Sequence, residues 1–172
     1  MFEWIKRRGL IKKSRSILKR RVKEKDKYVD EIKKQVGKCG NGLEVFGNVD
    51  ISYPERVSIG KNCKLNHQVY LNARSEITIG DDVSISYGAK LISTGYDLEH
   101  WIETGERRHF ENKPIHIGNH CWIGAGAIIL PGVHITGEYV VIGAGAVVTK
   151  SIAESKVVLA GSPAKIVKRL GE

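Results

Sequence analysis

The stretch IGNHCWIGAGAIILPGVHIT, Ile117 to Thr136, returns an isoleucine every six residues, at 117, 123, 129 and 135. Six matches neither simple period, because an α-helix repeats near 3.6 residues and a strand alternates every two. The repeat is therefore supersecondary. Followed in both directions, its apolar marks fall at Val45, Ile51, Ile59, Leu65, Leu71, Ile79, Ile85 and Leu91, then at Ile117, Ile123, Ile129, Ile135, Ile142 and Val148. Two residues before most marks stands another apolar or small residue, among them Val57, Cys63, Val69, Ile77, Val83, Ala89, Cys121, Ala127 and Val133. Each unit is thus a short apolar-x-apolar strand. Corner residues follow it in IGKN, IGDD, IGNH and IGAG, where Gly and Asn tolerate positive φ.

A strand this short cannot bury its apolar side alone, but coils stacked in register pair each backbone with the coils above and below. The pattern predicts an all-β solenoid, a parallel β-helix whose handedness the spacing does not fix. Its columns place Cys63 and Cys121 at equivalent inward positions. With Cys39 they make three widely spaced cysteines, which read as reduced, inert thiols rather than a disulfide framework or a CxxC metal site.

A chain of 172 residues that is 41% hydrophobic can close one main domain around a real core. The net charge of +9 is lopsided: residues 1–24 hold ten basic side chains against Glu3 and Glu24, so the rest is nearly neutral. That distribution, with no nucleic-acid-binding motif, argues against a nucleic-acid partner. No apolar run near the start marks a secretory signal, and no stretch approaches the roughly 20 apolar residues that span a bilayer. A cytoplasmic location is expected.

Three blocks stand in order on the hexad background: NHCWIGAGAIILPGVHI, VIGAGAVVTKSI and AGSPAKIVKRL. Together they resemble the hexapeptide-repeat acyltransferases, specifically the galactoside, maltose and xenobiotic O-acetyltransferase branch, over about residues 43–170. The resemblance implies a left-handed helix with three hexads per triangular turn, a homotrimer, and acetyl-CoA as co-substrate in a groove between neighbouring chains.

The beat is broken most widely between Leu91 and Ile117, around STGYDLEHWIETGERRHFENKP. Such a loop on a regular solenoid is disproportionately functional. It gathers Tyr96, Trp101, Phe110, His100, His109, Arg107 and Arg108, suited to sugar stacking, proton transfer and anion contact. A sugar hydroxyl is a poor nucleophile at neutral pH, so its attack on a thioester needs a base within hydrogen-bond reach, usually histidine. In the family that histidine directly follows a Thr-Gly pair, and here Thr94-Gly95 is followed by Tyr96, a poor base with a pKa near 10. His100 is therefore the expected base, Asp97 or Glu99 the group that orients it, and His109 the reserve. The resemblance also implies the backbone N–H of Ala125 as oxyanion donor. No Ser-His or Cys-His nucleophile motif is evident, which points to direct transfer.

Matched position by position, the resemblance places Trp122 beside acetyl-CoA, Thr149 and Lys150 near its pantetheine and nucleotide end, and Lys165 and Lys168 near its phosphates. Asn66 and Tyr96 fall on the acceptor side, with His67 a weaker neighbour. Arg74 stands where the galactoside enzyme has an aspartate, a change that suits an acceptor carrying phosphate or carboxylate. His116 and His134 fall at outward strand positions, and His120 falls in a corner. His116 and His120 are four apart but a corner separates them, so no metal site is expected.

The expected organisation is a basic amphipathic helical segment and linker over 1–42, the β-helix over 43–163 with its loop at 93–114, and a short C-terminal helix over 164–172. Trp4, Ile11, Leu18 and Val22 share one helical face, compatible with peripheral contact on an anionic membrane or with packing across a trimer. The resulting reading is an acetyl-CoA-dependent O-acetyltransferase of a cell-surface polysaccharide or its precursor. The alternatives are N-acetylation of an amino sugar and a noncatalytic β-helix assembly protein.

Overall fold

Each hexad forms one short parallel strand, and successive strands take turns on three sheets. A computed structural model describes residues 27–171 of the chain, so the basic face drawn on residues 1–24 lies outside the described residues. The chain divides into two units, Met1–Lys34 and Gln35–Glu172. In the first, residues from 27 onward are helical, with Lys27 and Glu31 paired one turn apart at 3.7 Å.

The second unit is the solenoid. Its first face stacks Lys38–Cys39, Val57–Ile59, Ile77–Ile79, Ile115–Ile117 and His134–Ile135. The second stacks Glu44–Val45, Lys64–Leu65, Ser84–Ile85, Trp122–Ile123, Val141–Ile142 and Val157–Ala160, and the third stacks Val49–Ser52, Val69–Asn72, Lys90–Ile92, Ile128–Ile129 and Val147–Val148. Register is strict: Ile59, Ile79 and Ile117 follow one another up the first face, and Leu65, Ile85, Ile123 and Ile142 up the second. The hexad marks become columns of identical inward positions. Ile77, Ile85, Leu91, Ile117, Ile123, Ile129 and Ile135 are wholly buried, each removal from water stabilising by roughly 1.5–3 kcal/mol.

The corners obey a finer rule than the hexads suggest. In IGKN, IGDD and IGNH the left-handed residue is not the glycine but the residue two later: Asn62 (φ 55°), Asp82 (φ 56°) and His120 (φ 55°). Gly118 answers to space instead. A Cβ there would lie 2.7 Å from the Gly137 carbonyl oxygen of the next coil.

Two expected boundaries move. The first solenoid strand is Lys38–Cys39, paired with Ser58 and Ile59, ahead of the expected start at residue 43. The end of the chain is not a helix: Lys165–Arg169 is a strand, antiparallel to Val157–Ala160. The adjacent β-branched Ile166 and Val167 favour extended backbone. Arg169 also grips Glu154 through two guanidinium contacts at 2.6 and 3.3 Å.

The breaks in the beat are built features. The steps from Ile51 to Ile59 and from Leu71 to Ile79 are eight residues long instead of six, and a single 3-10 turn, Pro54–Arg56, fills the first. At the second, the buried Ser93 hydroxyl lies 2.8 Å from the Asn72 carbonyl and 2.9 Å from that of Ser75, and accepts from the Ser75 N–H at 2.8 Å. Ser93 thereby fastens the base of the long loop to the coil below.

Candidate active site

The long loop leaves the corner between the third and first faces and is ordered as a hairpin enclosing a helix. Thr94–Tyr96 pairs antiparallel with Phe110–Asn112, setting Tyr96 opposite Phe110, and Leu98–Thr104 is α-helical. Asp97 caps that helix by accepting the His100 N–H at 3.0 Å, and Gly105 ends it at φ 75°. A side-chain oxygen at the cap satisfies one of the amides a helix leaves unpaired.

The register has a direct chemical consequence. With Tyr96 opposite Phe110, the next residue outward on each strand meets its counterpart, so Asp97 meets His109. The Asp97 N–H donates to the His109 carbonyl at 3.0 Å, and Asp97 Oδ2 lies 3.2 Å from His109 Nδ1. The His100 N–H and, secondarily, His109 hold the Asp97 carboxyl below the usual carboxylate range. The His100 and His109 rings lie 4.2 Å apart, centroid to centroid. His100 Nε2 faces Glu106 at 3.9 Å, and Thr104 Oγ1 donates to the His100 carbonyl at 2.7 Å.

An aromatic stack adjoins the pair. Tyr96 and Phe110 stack at 5.1 Å, and the Arg74 guanidinium sits 4.0 Å over the Phe110 ring. Arg74 arrives from the coil below, where Arg56 Nη1 donates to its carbonyl. Lys113, at the foot of the hairpin, is matched by Glu111 at 2.6 Å.

Other expected site residues lie elsewhere on the prism. Asn66, His67 and Ala125 occupy the corner between the second and third faces, and their carbonyl ladder runs His67 to Gly88 and Ala125 to Gly145. Flanking amides are spent on adjacent coils: Gly124 donates to Ile142 and Gly126 to Tyr87, each at 2.8 Å. At the corner between the first and second faces, the amides of Lys61 and Asp81 are taken by side-chain oxygens of Asp81 and Asn119. The residue stacked on Ala125 is Ala144, which offers no such oxygen. Among the described residues the Ala125 N–H therefore has no acceptor.

Trp122 stands outward on the second face, 54% exposed, in one column with Val141, Val158 and Lys168. Lys165 lies on the same terminal strand, opposite Ala160. Thr149 and Lys150 are exposed beyond the end of the third face. One chain thus brings together Tyr96, His100, His109 and Arg74 at one corner. It gathers Asn66, His67 and Ala125 at another, with Trp122, Lys165 and Lys168 on the face between that corner and the next.

The remaining histidines behave as their spacing predicts. His116 and His134 are in register on the first face with rings 6.5 Å apart, and burial pushes the His116 imidazole down. His120 stacks on Tyr139 at 4.6 Å and faces Asp82 at 3.8 Å. No group of three or more His, Cys, Asp or Glu able to hold a metal forms among the described residues. Sequence reasoning missed two partnerships. One is Asp97 with His109, visible only through the hairpin register. The other is the hydrogen bond that the Trp122 indole N–H donates to the Ser86 hydroxyl.

The stacked hexads match the left-handed β-helix fold of the acyltransferases, and the relatives give the same class. The family described as bacterial transferase hexapeptide (six repeats) matches residues 114–150. Galactoside O-acetyltransferase of Escherichia coli (strain K12) is 36% identical over 150 residues, 87% of this chain and 71% of that protein. A maltose O-acetyltransferase from Clostridium difficile 630 superposes with a TM-score of 0.78 at 31% identity, covering 86% of this chain and 76% of its own. A galactoside acetyltransferase in complex with coenzyme A gives 0.74 at 33% identity, over 85% and 71% of the two chains. The chain belongs to the hexapeptide-repeat acetyltransferases, in the branch of the galactoside and maltose O-acetyltransferases.

Proposed function

We propose that this acetyltransferase carries the acetyl group of acetyl-CoA directly to a sugar hydroxyl of a cell-surface polysaccharide or its precursor, working as a homotrimer. The observation that carries the reading is the ordered hairpin that presents two imidazoles, His100 and His109, in contact at one corner of the β-helix. A histidine base removes the acceptor proton as the hydroxyl oxygen attacks the thioester carbonyl. The Ala125 N–H receives the oxyanion, the C–S bond breaks, and the imidazolium returns its proton to the departing CoA thiolate. The hairpin and Ala125 lie on different corners of one chain, which favours a site completed by the hairpin of a neighbouring copy.

In this reading acetyl-CoA lies along the second face, with Trp122 beside its arm, Lys165 and Lys168 toward its phosphates, and Thr149 and Lys150 at its far end. Asn66, Tyr96 and Arg74 meet the acceptor. Among the described residues no helix is long and apolar enough to cross a membrane. The ten basic residues within 1–24 supply attraction to an anionic surface of about 1 kcal/mol each before salt screening, and so support peripheral contact where lipid-linked glycan precursors are handled. Thiol release from acetyl-CoA, measured with the purified protein over a panel of neutral, acidic and amino sugars, tests the reading. Acetylated hydroxyl products are expected. Exclusive N-acetylation, or turnover of no acceptor, overturns it.

A further inference from the structure

The hairpin presents two imidazoles, and the two are not equivalent. Resting on the acetyl-transfer reading above, we propose that His109, aligned by Asp97, is the general base, and that His100 is a packing partner rather than the proton acceptor.

Three observations separate the rings. The first is tautomer. Asp97 is fixed by the His100 N–H at 3.0 Å and by its own N–H on the His109 carbonyl at 3.0 Å, and it holds Oδ2 3.2 Å from His109 Nδ1. An ionised carboxylate only accepts, so Nδ1 carries the hydrogen and the lone pair of neutral His109 stands on Nε2. The second is access: the His109 side chain is 58% exposed and that of His100 31%. The third is surroundings. His100 directs Nε2 toward Glu106 at 3.9 Å, and its backbone is tied into the helix by Asp97 at its amide and Thr104 at its carbonyl. His109 lies outside the helix, between Gly105 and the returning strand.

Asp97 is a positioning residue in this scheme. It touches no reacting atom, but its carboxylate sets which nitrogen of His109 is basic and meets the positive charge that the ring gains when it takes the hydroxyl proton. Asp97 and Glu106 make carboxylate contacts with the two rings; Arg107 is turned onto Trp101, its guanidinium 5.1 Å from the indole centre. The contact also explains why the loop dispenses with a histidine directly after Thr94-Gly95. Tyr96 occupies that place in the stack with Phe110, and the hairpin returns an imidazole on the opposite strand.

The test uses the full chain. His109→Gln and His109→Ala are expected to lower kcat about 10²–10⁴-fold while leaving acetyl-CoA affinity and oligomeric state unchanged. His100→Gln should lower it less than about tenfold. Asp97→Asn keeps a helix cap yet removes the carboxylate, so kcat should fall with acceptor KM little changed, and Asp97→Glu should restore part of it. Long-range 1H–15N spectra of the unliganded wild type should show His109 as the Nδ1–H tautomer, and Asp97→Asn should mix the tautomers; a merely structural role for Asp97 would leave them unchanged. Near-normal kcat in His109→Gln beside an inactive His100→Gln overturns the assignment, as does an Nε2–H tautomer of His109 in the wild type. Absence of acetyl transfer by the wild type itself would instead remove the underlying reading.

Discussion

The indole Nε1 of Trp122 donates to the Ser86 hydroxyl of the coil below at 2.8 Å. Trp122 is 54% exposed, and this bond ties its indole to the coil below. Removing it should cost about 1 kcal/mol of preorganisation, a roughly fivefold weaker acetyl-CoA complex in Ser86→Ala. Trp122→Ala, which removes the surface itself, should weaken binding more than about tenfold. Isothermal titration with acetyl-CoA checks both, and equal affinities for the two variants and the wild type would remove Trp122 from the cofactor site.

The Arg74 guanidinium carbon lies 4.0 Å from the centre of the Phe110 ring, and a guanidinium held over an aromatic face keeps N–H donors for an anion. Acceptors bearing carboxylate or phosphate should lose about tenfold or more in kcat/KM with Arg74→Ala, while their neutral counterparts change little. Arg74→Lys should not restore the loss, because an ammonium has no bidentate fork and stacks poorly. Steady-state kinetics on paired neutral and acidic sugars decides.

Cys63 and Cys121 sit inside the coils at 0% and 2% exposure, and burial pushes both thiols up. Cys39 is only half-buried. Ellman titration of the native protein at pH 8 should therefore find one readily reacting thiol per chain and release the other two on denaturation. Three rapid thiols would contradict the inward register of the two columns.

Gly118 is set by the distance between coils, since a methyl group there would press on the Gly137 and Ile135 carbonyl oxygens at 2.7 and 2.9 Å. Overpacking of this kind costs about 1–3 kcal/mol. Gly118→Ala should lower the denaturation midpoint accordingly, with an unchanged dependence on denaturant. A midpoint equal to that of the wild type would show that the coils can part without loss.

The Asp97 carboxyl is depressed in the folded loop, first by the His100 N–H and then by His109. A depressed acid stabilises the folded form above its unfolded pKa of about 3.9 and loses that contribution as pH falls through the lower folded value. The helix Leu98–Thr104 should therefore uncap in a transition centred below about pH 3.9, read from the His100 amide resonance. In Asp97→Asn that transition should vanish.

The solenoid was legible because its signal is local and repeated: each apolar-x-apolar pair needs only its own strand to declare which side faces inward. Ile117 and Ile123 could be assigned from a few neighbours. The tail was not legible in that way, since KIVKR carries no hexad and its partner, Val157–Ala160, is known only once the coils are stacked. Gly60, Gly80 and Gly118 showed that corners exist but not which residue turns, because inter-coil spacing and left-handed backbone both select small residues. The loop declared its chemistry and hid its geometry. His100 is the nearer substitute for a base in sequence, four residues after Tyr96, while the contact of Asp97 with His109, twelve positions away, follows only from the register of Tyr96 with Phe110. The placement of the candidate site residues on two corners likewise required the assignment of every strand to a face.

A stack of parallel coils has no intrinsic end, since its last rung presents the same unpaired amides and carbonyls that recruited every rung before it. Here the final strand, Lys165–Arg169, runs backwards across that rung and offers solvent an edge bearing Lys165, Lys168 and Arg169, while the Ala164 N–H reaches the Val147 carbonyl at 2.8 Å. Reversed polarity, with the exposed Lys165 and Lys168 beside it, makes a poor template for another molecule's first coil. The tail that the hexads failed to foresee thus shields the edge of Val157–Ala160 on the second face with a strand of opposite direction, and removing it should leave that edge open to pairing with another molecule.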